Sequence, residues 1–387
     1  MSAEEGFDKR LAPVLSDENE LKLGIFGTNL RGGVTLSEFD GAFAATWEEA
    51  RRYAQIADRL DLEAVIPVAR WRGYGGDHNL GERSFETFTW ATGLLAATER
   101  IQVFATCHVP IWHPVTVAKM AATADHVSGG RFGLNIVAGY NQAELGMFGI
   151  TLAEHDARYE VADEWASLLE KLWTSETEFD WDGTYFQVAK AFSDPKPLQR
   201  PWPTIMNAGS SGAGRAFAVS HSDMIFAGLT AIDRAKAQID EIKEQARAAG
   251  REDFAIFGRA HIVIGDSADE AHEEFERLHW TEADVKGARN VANIVSRNSQ
   301  STPFDEMKEK QILQGMIAGF WALPVIGTAD DVARQLLELH GLGLDGIALS
   351  WPRYDEGLQQ LEDLILPRLV EAGVRRPIPL RAAAAVV

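Results

Sequence analysis

Short apolar runs alternate with longer amphipathic stretches along the whole chain. Eight runs read as strands: 21–27 (LKLGIFG), 63–68 (EAVIPV), 101–106 (IQVFAT), 132–138 (FGLNIVA), 204–207 (TIMN), 223–227 (DMIFA), 255–264 (AIFGRAHIVI) and 345–350 (DGIALS). The segments between them have helical spacing. In 45–60, Trp47, Tyr53, Ile56 and Leu60 fall near one face; Pro114 opens a helix that stops at Ser128-Gly129-Gly130. Further helices are expected over 84–98, 154–173, 212–220, 231–249, 267–279, 329–340 and 357–372. A hairpin is expected at 179–188 around Asp180-Trp181-Asp182-Gly183. Eight such units, each crossover long enough for a parallel connection, with no glycine fingerprint for a dinucleotide after the first strand, predict an α/β fold: a closed (β/α)8 TIM barrel. Residues 1–20 read as a polar N-terminal arm, 21–372 as a single barrel, and 373–387 as a tail. Residues 281–325 break the rhythm, and the reading is an irregular or helical insertion beside the barrel mouth.

Composition narrows the functions. Among 387 residues, 57 acids against 37 Lys and Arg give a net charge of −20, which argues against a nucleic-acid partner but leaves room for a local basic pocket. One cysteine, Cys107, excludes a disulfide scaffold and a cysteine-rich metal site. The acidic start has no apolar core of a secretory signal, and no run is long enough to span a membrane. A cytoplasmic protein is the expectation.

In a barrel, chemistry gathers at the C-terminal ends of the strands. That rule nominates Arg70 to Arg72, Thr106 to His108, Asn135 to Tyr140, Asn207 to Ser211, and Ser350-Trp351. The stretch NAGSSGAGR (207–215) suits an anion: its glycines allow close backbone approach, Ser210 and Ser211 supply hydroxyls, and a helix N-terminus follows. An ordinary capped turn is the plainer reading. Asn135, an amide inside an apolar strand, must find partners; it serves either a planar heterocycle or the neighbouring backbone. Thr106 either presents its hydroxyl at the mouth or is an ordinary strand threonine. Arg158 and Tyr159 either hold a phosphate or make a surface Arg beside a half-buried Tyr. Glu144 either accepts from a bound ring or ribityl chain or faces water. His108, just past a strand end, suits a substrate hydrogen bond or proton transfer. Metal-ligand spacings are lacking, and no metal is expected. Trp71, Tyr74, Trp112, Tyr140, Phe320, Trp321 and Trp351 are candidates for an aromatic wall.

The stretches RWRGYGG (70–76), IQVFAT (101–106), ATADHVSGGRFGLNIVAGYNQAE (122–144), DARYE (156–160), PKPLQRPWPTIMNAGSSGAGRAFA (195–218) and GTADDVARQL (327–336) together resemble the bacterial luciferase-like flavin monooxygenases. The likeness is greatest to the branch of pyrimidine and dimethylsulfone monooxygenases. It implies the same barrel, and reduced FMN supplied by a separate NAD(P)H-dependent flavin reductase. It also implies O2 and a small organic substrate, with cleavage of a carbon–heteroatom bond in a sulfone, sulfonate, cyclic amide or halogenated aromatic. A homodimer or homotetramer is implied as well. By the same resemblance, Ala69, Arg70, Asn135, Glu144, Arg158, Tyr159 and Ser211 contact the flavin, with Ser210 beside them, and Thr106 and Asn135 lie by the ring where oxygen reacts. Arg70, Tyr140 and Cys107-His108 depart from the pyrimidine-oxygenase pattern on the expected substrate side. A deazaflavin-dependent oxidoreductase and a non-catalytic flavin-binding barrel are the competing readings.

Overall fold

The computed structural model describes residues 6–229, 232–298 and 309–378. Eight parallel strands close on themselves: β1 (Lys22–Phe26), β2 (Ala64–Ile66), β3 (Gln102–His108), β4 (Phe132–Val137), β5 (Thr204–Asn207), β6 (Met224–Phe226), β7 (Ala255–Ile264) and β8 (Gly346–Ser350). Each pairs with its sequence neighbours, β6 with β7 and β8 with β1 completing the ring. This is the expected (β/α)8 barrel.

Strand alternation sorts the side chains. Phe26, Ile66, Phe104, Met206, Phe226, Phe257 and Ala348 fill the barrel interior. Ile25, Val65, Leu134, Ile136, Ile205 and Leu349 face the outer layer of helices. That layer contains α1 (Trp47–Arg59), α2 (Thr87–Ala96), α3 (Pro114–Ser128), α4 (His155–Thr174), α5 (Gly212–His221) and α6 (Ile232–Ala248), then α7 (Ala268–Glu276) and α8 (Ala329–Gly341). Local chemistry sets their ends. Thr46 and Glu49 form a reciprocal capping box on α1, Pro114 occupies the first turn of α3, and Gly129 ends that helix at φ 66°.

Two departures from the sequence reading concern the barrel's ends. Residues 6–20 are not a solvated arm. Phe7–Asp8 pairs in parallel with Gln199–Arg200, and Val14, fully buried, joins the interior cluster at the N-terminal end. Between β7 and β8 the expected irregular or helical segment ends in a strand, Leu323–Gly327, paired with Ala260–Ile264. β7 is therefore ten residues long and carries two partners at its C-terminal half. Helices at Val285–Asn298 and Glu309–Ile317 precede that strand, with residues 299–308 outside the described set. In the tail, Arg375 is buried on Glu63 at 2.9 Å; residues 379–387 lie outside the described set. No helix among the described residues is long and apolar enough to cross a membrane.

Candidate active site

The inward positions at the C-terminal ends of β3 and β4 are polar. Thr106 and Asn135 are register partners, and the Asn135 amide donates to the Thr106 hydroxyl at 3.2 Å. The Thr106 hydroxyl donates to the Pro67 carbonyl at 3.2 Å, and Thr87 braces the Thr106 backbone from α2. All acceptor capacity on the Asn135 side chain stays open: its Oδ1 is buried without a partner. A buried acceptor left this way costs about 1–3 kcal/mol, so the protein keeps a defect that a ligand N–H would repair.

Next to this pair lies an ion pair. Arg70 and Glu144 meet at 3.0 Å with side chains only 3% exposed. The second Glu144 oxygen accepts from the Trp71 and Arg72 amides at 2.9 and 3.4 Å. Glu144 thus neutralises Arg70 and shapes the 70–72 loop. The Arg70 Nη1 also donates to the Tyr74 hydroxyl at 2.6 Å, the Tyr74 and Tyr140 hydroxyls are 2.5 Å apart, and the guanidinium lies over both rings. Burial drives the Tyr74 phenol well above its ordinary pKa. Ala69 is buried and gives its carbonyl to the Arg70 Nε.

His108 points inward while Cys107, its neighbour, is buried in the outer core, so the two do not form a nucleophilic pair. Burial, reinforced by the Arg70 charge, lowers the His108 pKa to about 3. At neutral pH it is a neutral imidazole, suited to hydrogen bonding more than to carrying a proton.

The second group lies on α4 and at the start of α5. Ser211 caps α5, accepting from the Gly214 amide at 3.1 Å, and the Tyr159 hydroxyl lies beside this first turn; burial raises the Tyr159 pKa while nearby Ser211 and Arg158 oppose the rise. Gly209 and Gly214 allow this closeness: a Cβ on Gly214 would sit 2.7 Å from the Tyr159 oxygen and 2.8 Å from the Gly209 Cα. Buried Arg158 donates to the Gly139 carbonyl, which joins α4 to the exit of the strand carrying Asn135. Ser210 is exposed, its carbonyl held by Arg215 at 3.2 Å. Asn207 is tied to the Ile136 carbonyl and the Gly209 amide, each at 2.7 Å, and holds the loop's shape.

An aromatic wall stands around the mouth. Trp71 contacts Trp112 and Phe148, and Tyr74 contacts Phe320, which contacts Trp321. Trp351 is not part of it; it packs in the outer core against Tyr354 and Gly357. Gly319, Phe320 and Trp321 have φ of 75°, 54° and 63°, a left-handed run in which the two aromatic residues are strained.

Two features escaped the sequence reading. Arg259, on the inward face of β7, donates to the Phe320 carbonyl at 2.9 Å. Beyond it, His261 bonds the Ser350 hydroxyl and His279, each at 2.9 Å, and the His279 Nδ1 meets the Phe275 carbonyl at 2.9 Å. A carbonyl only accepts, so His279 carries its proton on Nδ1. Burial favours neutral rings, holding the His279 pKa down at about 4 and the His261 pKa well below its ordinary value. With both rings neutral, the His279 Nε2 accepts from His261, whose Nδ1 accepts from Ser350. The signal was present in β7 itself: F-x-R-x-H places an Arg and a His at the same parity as the interior Phe257.

Among the described residues, no cluster of three His, Cys, Asp or Glu could hold a metal ion. The groove at the opposite, N-terminal end of the barrel is lined by Lys9, Trp202, Asp223 and Arg251. Two of its ion pairs are internal, Lys9 on Asp223 at 2.6 Å and Arg251 on Asp253 at 3.5 Å. At the C-terminal mouth, the Asn135 Oδ1 and the Arg259 Nε are buried without a partner.

The luciferase-like monooxygenase family profile matches residues 23–346. The chain is 30% identical over 371 residues to an FMNH2-dependent dimethylsulfone monooxygenase of Pseudomonas putida, covering 95% of this chain and 99% of that protein. It is 28% identical to the pyrimidine monooxygenase RutA of Pantoea ananatis, over 90% of this chain and 96% of the relative. In fold it is similar to riboflavin lyase RcaE, with a TM-score of 0.82 at 23% identity and 94% of each chain covered. With its closed barrel and its polar C-terminal mouth, the chain belongs to the luciferase-like monooxygenase family.

Proposed function

We propose that the protein is the oxygenase of a two-component system. It takes reduced FMN from a separate NAD(P)H-dependent flavin reductase, and uses it with O2 to oxidise a small organic substrate with cleavage of a carbon–heteroatom bond. The observation that carries this reading is the unpaired Oδ1 of Asn135 at the same barrel mouth as the Ser211–Tyr159–Arg158 cradle. A flavin mononucleotide has both chemistries: a ring with amide-like N–H donors, and one terminal phosphate. The named functions of the dimethylsulfone and pyrimidine relatives support the same reading.

In this reading the start of α5, with Ser211, Tyr159 and Arg158, holds the phosphate. Asn135 and Thr106 hold the ring edge, Ala69 and Arg70 line its side, and Glu144 keeps Arg70 and the 70–72 loop in place. Ser210 lies at the outer rim. When bound, the reduced flavin supplies the electrons that activate dioxygen. The chain's own part is to orient substrate, exclude bulk water behind Trp71, Tyr74, Trp112 and Phe320, and offer a neutral His108 as a hydrogen-bond partner to the substrate.

The test is incubation with reduced FMN and 18O-labelled dioxygen against a panel of sulfones, sulfonates, cyclic amides and halogenated aromatics, read by mass spectrometry. One labelled oxygen in a product is expected. Deazaflavin turnover without oxygen uptake would point instead to an oxidoreductase. The active form is expected to be a homodimer or homotetramer, and a light-scattering mass of only 42.6 kDa would contradict that.

A further inference from the structure

Three arginines are placed by this reading around the mouth, and they are not equivalent. The charge of Arg70 is cancelled by Glu144 at 3.0 Å. Arg158 belongs to the phosphate cradle. Among the described residues Arg259 forms no salt bridge. Burial lowers its pKa to about 10, so the cation persists at neutral pH.

The geometry shows which edge is available. Nη1 is committed to the Phe320 carbonyl at 2.9 Å, and the guanidinium lies 5.2 Å from the centre of the Phe226 ring. Nε is shielded from solvent and has no acceptor. Nη2 lies beside Gly228, where a Cβ would come within 3.0 Å of it, so glycine keeps this edge clear. The Nε–Nη2 edge is the one on which a guanidinium grips a carboxylate or sulfonate through two hydrogen bonds. A buried Nε–H without an acceptor is costly, and water is kept from it.

Topology separates this fork from the ring site. In the eight-stranded ring β7 stands opposite β3, the strand that carries Thr106 and His108. A ligand held by Thr106 and Asn135 is therefore anchored on the far side of the ring from Arg259. Phe226 and Phe320 flank the Arg259 guanidinium, so a ligand on its free edge would meet apolar side chains beside the charge.

We propose that Arg259 is a substrate-binding residue that grips an anionic group, a carboxylate or sulfonate, on the molecule to be oxidised. The inference rests on the oxygenase reading above and deepens it by naming the substrate class. It narrows the substrate to anions and sets aside neutral sulfones and cyclic amides.

The test is binding, so that it stands apart from turnover. Protein loaded anaerobically with reduced FMN is titrated calorimetrically with methanesulfonate and benzoate, and with their neutral counterparts dimethyl sulfone and benzamide. Wild type is expected to bind at least one anion about tenfold or more tighter than its neutral partner. Arg259→Gln should erase that preference, and Arg259→Lys should keep part of it, because the charge remains and the fork is lost. Reduced-FMN affinity should stay within about twofold in both variants, well below the tenfold step that 1.4 kcal/mol represents. The proposal is overturned if wild type prefers neither anion; this arm decides alone should the variants fail to fold. It is equally overturned if Arg259→Gln weakens reduced FMN as much as it weakens the anions, which would place Arg259 against the flavin. Persistent anion preference with no labelled oxygen in any product would remove the oxygenase reading and leave the anion site standing.

Discussion

Among the contacts that Arg158→Ala removes, two can be separated by the choice of ligand. One is the bond to the Gly139 carbonyl, which fixes the exit of β4 and so the placement of Asn135. Its loss affects any flavin, with or without a phosphate. The other is the proposed charge-assisted bond to the FMN phosphate, which riboflavin lacks. Burial lowers the Arg158 pKa from its ordinary value, yet an arginine so shifted is still a cation at neutral pH. A hydrogen bond to a charged group contributes about 1.5–3 kcal/mol, or roughly 10- to 100-fold in affinity. The expected result is therefore a ratio. Arg158→Ala lowers the preference for reduced FMN over reduced riboflavin by roughly 10- to 100-fold, whatever common loss the Gly139 contact adds. Anaerobic fluorescence titration of both ligands against wild type and variant measures it. An equal loss for both would place Arg158 away from the phosphate and refute the assignment of α4 and α5 as the cradle.

Further outcomes follow from the same geometry. Asn135→Leu should leave stability unchanged or raise it, because the unpaired Oδ1 disappears, while weakening reduced FMN and riboflavin alike; a destabilised variant with normal flavin affinity would contradict the ring-edge role. Glu144→Gln leaves Arg70 buried without a counter-charge. It should cost about 3 kcal/mol in urea unfolding, the lower end of the range because Tyr74 and Ala69 still bond Arg70, and Arg70→Met in the same chain should recover most of it; a loss below about 1 kcal/mol would show the pair to be dispensable. The His279 pKa is depressed to about 4, so its stabilising neutral state is fully present above about pH 6.5 and is lost as pH falls toward 4. Unfolding curves should decline through that window, and less so in His279→Leu. His221 behaves in the opposite sense: burial opposes its charge, but hydrogen bonds to Glu170 and Asp163 outweigh burial and raise its pKa. Its clasp between α4 and α5 is fully present below about pH 6.5 and weakens as pH rises past the raised value, and His221→Gln should flatten that slope.

The barrel was legible because its strands are short apolar runs spaced by amphipathic helices, a pattern set by each strand having one face toward the interior and one toward the helices. The same periodicity concealed Leu323–Gly327: this five-residue strand follows a long helical stretch and carries a proline, which its edge position in the sheet tolerates. Thr106 and Asn135 could be nominated one by one, but only the register shows that they are partners. Glu144 and Arg70 lie 74 positions apart, and nothing in either neighbourhood announces an ion pair. Arg259 was visible as a charge within an apolar strand. Its importance depends on the lack of a counter-ion among the described residues, and that is a property of the folded mouth. Val14 lies in a short apolar stretch, Leu11 to Leu15, inside an otherwise polar and acidic segment, and so brief a stretch marks no element by itself; the barrel's open N-terminal end, which this apolar side chain helps to close, exists only after folding.

The central claim is that the C-terminal mouth of this barrel is a flavin mononucleotide site. A crystal structure of the FMN complex tests it most directly. The account predicts the phosphate at the start of α5 within hydrogen-bond distance of Ser211, Tyr159 or Arg158, and the ring edge donating to the Asn135 Oδ1. FMN bound elsewhere, or bound at the mouth with its phosphate turned toward β7 and Arg259, would contradict it.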